Sequence, residues 1–350
     1  MSQLNVTTIN ESQTDNGVTI EGVLIKDGQV DGVDVSGIPT GGKNYIINGN
    51  FDIWQRGTSF TATGYTADRW YAIASGTGTT TISQQSFTLG QTDVPNEPKY
   101  YLRIAKSSGA TSGDYLSSKN ESVRTFAGQA TVVSFYAKAS AATTLTPTIR
   151  QNFGTGGSPS SVNDSVKSDI SVTTSWQKFT ITHTFTSISG KTIGTDGNDH
   201  IELFFNIQNA AGDSVDFAQF QWEKGSVATD FEVRPIGEEY QNCFRYYNRY
   251  VANDNVYCLV AQGTYNSATQ ILVKVDHPVK MRTAPTMSYS QLSDFDIEPF
   301  DVAPTAITYG YNSSFVTQLS VTDPTNRTTG FCGQLTIDVA NGYLELDAEL

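Results

Sequence analysis

Along most of the chain, hydrophobic and polar residues alternate with a period of two. In WQKFTITHTF (176–185), Phe179, Ile181, His183 and Phe185 fall on one face, while Lys178, Thr180, Thr182 and Thr184 take the other. In HIELFFNIQ (200–208), Ile201, Leu203, Phe205 and Ile207 share a face. Tyr100, Leu102 and Ile104 alternate with polar or small neighbours, and ATVVSFYAKAS (130–140) is apolar on both faces, as a strand inside a sheet is. Clusters of Gly, Ser, Asn and Asp separate these runs, with no helical period between them. Such spacing predicts an antiparallel two-sheet sandwich over 44–235. About 190 residues suffice for a jelly roll. Ala218, Phe220 and Trp222 alternate inward in its last strand, and Pro235 marks its end.

The pattern changes at both ends. In residues 1–43, glycines at 17, 22, 28, 32 and 37 divide tiny β-type runs such as Val18–Ile20. One copy of such a segment cannot bury both faces of anything. It is either a solvated leader or a stem in which identical chains intertwine and complete one another's core, and its period-two valines and isoleucines favour the stem. PTGGK (39–43) reads as a hinge. After Pro235 the period becomes helical through Ile236, Tyr240, Cys243, Phe244 and Tyr247. Glu238 and Glu239 sit in the first turn and Arg245 and Arg249 toward the last, as the helix dipole prefers. Strand patterns then resume, and Ala340-Asn-Gly-Tyr343 predicts a hairpin. The expected fold is mainly β: a short intertwined stem (1–43), a jelly-roll-like sandwich (44–235), then a linking helix with a small β-rich C-terminal domain (236–350).

Composition narrows the partners. Charged residues are only 16%, against roughly 25% in an average domain, and the 11% aromatic content speaks against disorder. A net charge of −13 leaves no basic footprint for nucleic acid and repels an anionic membrane surface. A neutral saccharide or another protein fits better. No apolar run has membrane-spanning length, and the polar start implies synthesis in a cytoplasm without Sec-type export. Cys243, Cys258 and Cys332 match no metal or redox spacing and read as buried reduced thiols.

Catalytic signals are sparse. His183 lies on an apolar strand face, His200 heads a strand, and His277 precedes Pro278 in a strand-ending turn; none is spaced for zinc. Gly212-Asp-Ser214 reads as a turn, since no Asp/His pair follows it. The pairs Asp294/Asp296 and Glu298/Asp301 do not by themselves place two carboxylates across a glycosidic bond. The turn TDGND, with Asp196 and Asp199, offers oxygens to a structural Ca²⁺; the competing reading is a solvated turn. No other cofactor and no enzymatic activity are expected.

NGNFDIWQRGTSF (48–60) and YTADRWY (65–71) remain. Asn48 and Gly49 make a turn, Phe51 and Trp54 drop into the sandwich, and Trp70 follows from a neighbouring strand. Arg56 and Arg69, close to indoles, either stack and bond strand-end carbonyls or grip a ligand. The structural role is preferred. With WEKGSVATDFEVRPIGEE (222–239) and CFRYY (243–247), these strings resemble a sandwich module of bacteriophage and prophage tail-fibre proteins. HPVKMRTAPT (277–286) and LELDAEL (344–350) resemble the C-terminal part of such fibres, and DNGVTIEGVLIKDG (15–28) their stems, so the resemblance covers almost the whole chain.

The resemblance implies a homotrimeric virion protein on the tail or capsid exterior. Its sandwich would be related in shape to carbohydrate-binding modules, and its N-terminus would dock on other virion proteins. The implied action is reversible, receptor-binding attachment to a host surface glycan or protein. The alternatives are a structural capsid or neck fibre and a glycan-cleaving tailspike. Asn48, Phe51, Trp54, Arg56, Arg69, Trp70 and Trp222 would then serve the fold. If a sugar is bound, Tyr289, Phe295, Tyr309, Tyr311 and Phe315, read as loop residues, are the candidates to stack on it; each could instead pack within the trimer.

Overall fold

The computed structural model describes residues 42–74, 78–107, 114–252 and 257–350, together with the backbone of short strands between 18 and 34. Those strands, Val18–Ile20, Val23–Lys26, Gln29–Val30 and Val33–Asp34, form an antiparallel meander in which each pairs with its neighbour in sequence. The polar start before residue 18 and hinge residues 39–41 lie outside the described residues.

The protein is mainly β, with antiparallel sheets forming sandwiches and one short helix. In the first sandwich the front sheet runs Asn163–Val166, Thr143–Asn152, His200–Ile207, Asp114–Glu121, Trp70–Ile73, Gly64–Tyr65, with Ile170–Val172 also on Thr143–Asn152. The back sheet runs Gln177–Thr184, Ala130–Ala139, Ser214–Lys224, Tyr100–Lys106, Thr80–Ser86, Ser59–Phe60. Period-two alternation sends one side of each strand into the space between them. There the Phe220 ring lies 4.7 Å from Trp70, 4.8 Å from Phe135 and 5.7 Å from Phe205, centroid to centroid. Gly49 permits the loop before Phe51 to seal this core. Phe220 N donates to Gly49 O at 2.8 Å, and a Cβ on residue 49 would sit 2.1 Å from Phe220 O.

The helix, Ile236–Phe244, is shorter than its spacing suggests. Arg245 caps it, and Tyr247–Val251 is a strand paired with Tyr343–Asp347. Arg249 therefore lies on a strand and not in a last helical turn, because the ladder to Tyr343–Asp347 outcompetes helix continuation. Among the described residues no helix is long and apolar enough to cross a membrane.

A second core follows. A six-stranded sheet runs Phe295–Glu298, Cys332–Ile337, Cys258–Ser267, Gln270–Asp276, Val316–Thr322, Ala306–Asn312. It packs on a three-stranded sheet, Tyr247–Val251, Tyr343–Asp347, Thr286–Tyr289, through Phe295, Val273, Leu319, Leu335, Leu344 and Leu346. The turn at Ala340–Tyr343 forms, with Asn341 at φ 67°, but the predicted hairpin does not. Cys332–Ile337 and Tyr343–Asp347 belong to different sheets, because burying Leu344 and Leu346 requires the chain to cross the core. The thiols also differ from expectation: Cys243 is buried, Cys258 half-buried and Cys332 exposed. Cys332 is exposed because it opens a strand on the outer face of its sheet, opposite Thr264.

Candidate functional site: a groove across the front sheet

The signature stretch forms a joint. Asn48 adopts φ 56°, a conformation Asn tolerates better than most residues. Its Oδ1 accepts from Ile53 N at 3.0 Å, and its Nδ2 donates to Ile53 O at 2.8 Å and Asp68 O at 3.0 Å. Its carbonyl accepts the Trp70 indole N–H at 3.0 Å, and its own N–H donates to Glu239 of the helix. Phe51, Trp70 and Trp222 are fully buried. Trp54 stays half-buried at the margin, parallel to Phe60.

Arg56 stacks 3.4 Å from the Tyr247 ring centroid and bonds Asp347 at 3.2 Å and Glu349 at 3.4 Å. Arg69 lies 3.4 Å from the Tyr246 centroid, donates to Glu349, and reaches Lys119 O at 2.6 Å. Arg282 holds the backbone oxygens of Ala348 and Glu349 at 2.7 and 2.6 Å. The motif thus binds sandwich, helix and C-terminal segment into one piece.

The groove lies on the outer face of the front sheet, a cavity of about 390 Å³ lined by Tyr71, Ile73, Tyr115, Ser117, Lys119, Arg150, Asn152, His200, Glu202 and Phe204. Strand register assembles it. Ser117 is opposite both Tyr71 and Phe204, Lys119 is opposite Glu202, and Arg150 and Asn152 are opposite Glu202 and His200. Tyr115 and Phe204 have ring centroids 6.4 Å apart. Arg150 sits 4.9 Å from the Phe204 centroid, forks onto Asp164 at 2.7 and 2.8 Å, and reaches Glu202 at 3.3 Å. The Asp164 carboxylate keeps Arg150 firmly charged. At one end Lys119 Nζ and Tyr65 Oη both donate to Leu350 O at 3.0 Å.

Burial, with Arg69, Arg150 and Arg282 nearby, lowers the Lys119 pKa. Burial also lowers His200 below its usual 6.5, so its imidazole is neutral at pH 7 and its Nδ1 meets Asn198 O at 2.8 Å. A half-buried aromatic floor rimmed by fixed hydrogen-bonding groups is suited to a polar ligand with apolar faces.

None of these groove residues was among the candidates read from sequence. The signal was present: HIELFFNI puts Phe204 on the face opposite Ile201, Leu203, Phe205 and Ile207, and an aromatic on the polar face is the unusual observation. Of the residues proposed to stack on a sugar, Phe295 is fully buried. Its polar surroundings resemble a loop, but it pairs with Ile337 in a short strand and fills the second core, so its ring is closed to a ligand. Tyr289 is a half-buried strand residue packed on that core. Tyr309 and Tyr311 also lie on a strand, Ala306–Asn312, and not in a loop. Tyr309 donates to Pro285 O at 3.0 Å, whereas Tyr311 and Phe315 are 77% and 63% exposed.

Asp196 and Asp199 are already engaged. Asp196 accepts from Thr155 Oγ1 at 2.7 Å, and Asp199 from Ser122 Oγ and Val123 N, both at 3.0 Å. They clasp separate loops, and among the described residues no three or more acids, histidines and cysteines come together as a metal site.

The acidic stretch 294–301 has a different consequence. Burial and the neighbouring Asp338 push Asp296 from 3.8 to about 7. The folded chain therefore keeps a proton that the unfolded chain gives up above 3.8. The associated stability is full below about pH 4 and lost as pH rises through 7. Asp338→Asn should raise Tm by several degrees at pH 8 and change it little at pH 4.5, as read by calorimetry at both pH values. Equal shifts at the two would contradict the assignment.

No family model matches the chain, nor does any curated protein. Several solved structures show a distant likeness. The enzymatically active domain of bacteriophage CBA120 tailspike protein 4 is 14% identical with a TM-score of 0.34, the match covering 52% of this chain and 22% of that one. TmCBM61 in complex with β-1,4-galactotriose is 13% identical with a TM-score of 0.32, covering 52% of this chain and 99% of that one. The xylan-binding domain of Paenibacillus barcinonensis Xyn10C is 16% identical with a TM-score of 0.30, covering 49% and 94%. In each case the similarity reaches about half of this chain.

Proposed function

We propose that the chain is a glycan-binding fibre protein of a virion, attaching reversibly to a host surface saccharide through the front-sheet groove. The observation that carries this reading is the convergence of Tyr71, Tyr115 and Phe204 with Arg150, Asn152 and Glu202 on one open face. The rings offer flat apolar surface to a sugar ring, and the polar side chains offer donors and acceptors to its hydroxyls. Among the described residues the groove lining contains one carboxylate, Glu202, tied to Arg150. That supports binding without bond cleavage, since glycosidases of the common type need two carboxylates. The tail-fibre resemblance of residues 48–60, 65–71 and 222–247 supports a place on the tail or capsid exterior, assembly as a homotrimer, and N-terminal docking on other virion proteins. Three grooves on one fibre would add avidity without new contacts.

The test is a glycan array probed with the full chain and with Tyr115→Ala and Phe204→Ala. Loss of one stacking ring should weaken the best hit about tenfold. Because burial lowers His200 below its usual 6.5, any His200-linked change in binding should fall on the acid side of pH 6.5. Undiminished binding by both variants would remove the groove from consideration.

A further inference from the structure

The outer face of the six-stranded sheet carries a feature that strand register alone reveals. Glu298 is opposite Gln334, Gln334 opposite Gln262, Gln262 opposite Lys274, Lys274 opposite Gln318, and Gln318 opposite Tyr311. Each of the six strands thus contributes one long polar or aromatic side chain to a single line perpendicular to the strands. Five inter-strand steps of about 4.8 Å make this line roughly 24 Å long. One end opens into a groove of about 520 Å³ bordered by Glu298, Pro299, Cys332 and Gln334. The other end is the exposed ring of Tyr311.

Among the described residues, the side chains of Glu298, Gln334 and Gln262 have no hydrogen-bond partner in the protein, and Gln318 Oε1 is buried without one. Lys274 is bonded to Asp276 at 2.6 Å. The line therefore presents two adjacent amides, Gln334 and Gln262, and beyond Lys274 a third, Gln318, whose oxygen is buried, with no excess of positive charge.

We propose that this line is a second binding site, separate from the front-sheet groove, for a linear uncharged polysaccharide lying across the strands. A polyanion would meet the field of a −13 chain with no cationic cluster to offset it. A second copy of the protein is a poorer occupant, because the centres of protein interfaces are depleted of Lys and Glu. Uncharged amides at Gln334, Gln262 and Gln318, with a groove at one end and an exposed aromatic ring at the other, suit an extended polyhydroxylated chain. The site stands or falls independently of the groove.

The experiment is affinity electrophoresis of the full chain in gels containing amylose, mannan, xylan or mixed-linkage β-glucan, with the corresponding hexasaccharides and disaccharides as competitors. The variants are Gln262→Ala/Gln334→Ala, Tyr311→Ala, the shape-conserving Gln334→Glu, and Tyr115→Ala in the groove. The side chains changed on the line are partly or fully exposed, and unchanged melting curves would show that their variants fold. The expected result is retardation by at least one polysaccharide, weakened about tenfold by the double variant and by Gln334→Glu. The same weakening should appear in the Tyr115→Ala background, where the groove is already impaired, and the hexasaccharide should compete better than the disaccharide. Retardation lost only in Tyr115→Ala would overturn the second site while supporting the groove. Absence of retardation by all four polysaccharides would overturn it as well. A lower sedimentation coefficient in the double variant would mark the line as a contact between copies, and the proposal would fall.

Discussion

Glu349→Ala should destabilise the folded chain by about 3–5 kcal/mol, the range for leaving a buried charge without its partner. Glu349 is 5% exposed and Arg69 1% exposed at their side chains. Arg69 has few other uses for its charge: one bond goes to Lys119 O, and its Nε has no partner. Removing the carboxylate strands this guanidinium and also loosens Arg56, which bonds both Glu349 and Asp347. Tyr246, pushed up to about 12 chiefly by burial, stays a neutral ring under Arg69 and cannot replace the lost charge. The controls are Arg69→Met alone and combined with Glu349→Ala. If the clasp is the cause, the double variant should recover part of the loss, because a matched apolar pair leaves no buried charge. Urea unfolding of the four proteins measures the cycle. A Glu349→Ala cost under about 1 kcal/mol would mean that the clasp opens readily to water.

Asn48→Ala should cost about 4 kcal/mol or more, summed from three lost buried hydrogen bonds and the left-handed backbone. Ile53 N, Ile53 O and Asp68 O would each lose a partner in a region closed to solvent. Asn48→Gly should be milder by roughly 1 kcal/mol, since glycine relieves the φ of 56° but restores no bond. Asn48→Asp should be the worst of the three. It has nearly the same shape, yet it turns a donor shared by two carbonyls into a negative oxygen facing them. The order Gly, Ala, Asp, read from denaturant midpoints, is the diagnostic. An aspartate variant as stable as the parent would show that the amide donor is dispensable.

Much of the architecture could be read from alternation alone. Phe179–Phe185 and Ile201–Ile207 point inward as their period demands, and the double-sided run at 130–139 does lie inside its sheet. Alternation assigns a residue to a face but not to a neighbour. Tyr71, Tyr115, Arg150 and Phe204 come from four strands separated by long stretches of chain, and only the register brings them together. The same limit explains Asn341. Its turn was legible, but the strand after it went to the opposite sheet because the second core needed Leu344 and Leu346. Phe295 was misplaced because Asp, Ser and Glu around it imitate a loop. Asn48 could be read as a turn residue, yet nothing in the sequence says that its amide closes onto Ile53 and Asp68.

The clasp also has a consequence in time. Arg69 and Glu349 are separated by 280 residues, and Arg56 and Glu349 by 293. Closing loops of this length costs conformational entropy that must be offset by the contacts made. During synthesis the sandwich strands can collapse while residue 349 is still inside the ribosome, and Lys119 then has no Leu350 to hold it at the end of the groove. The clasp can close only after the strand Tyr343–Asp347 has been made and has crossed the second core.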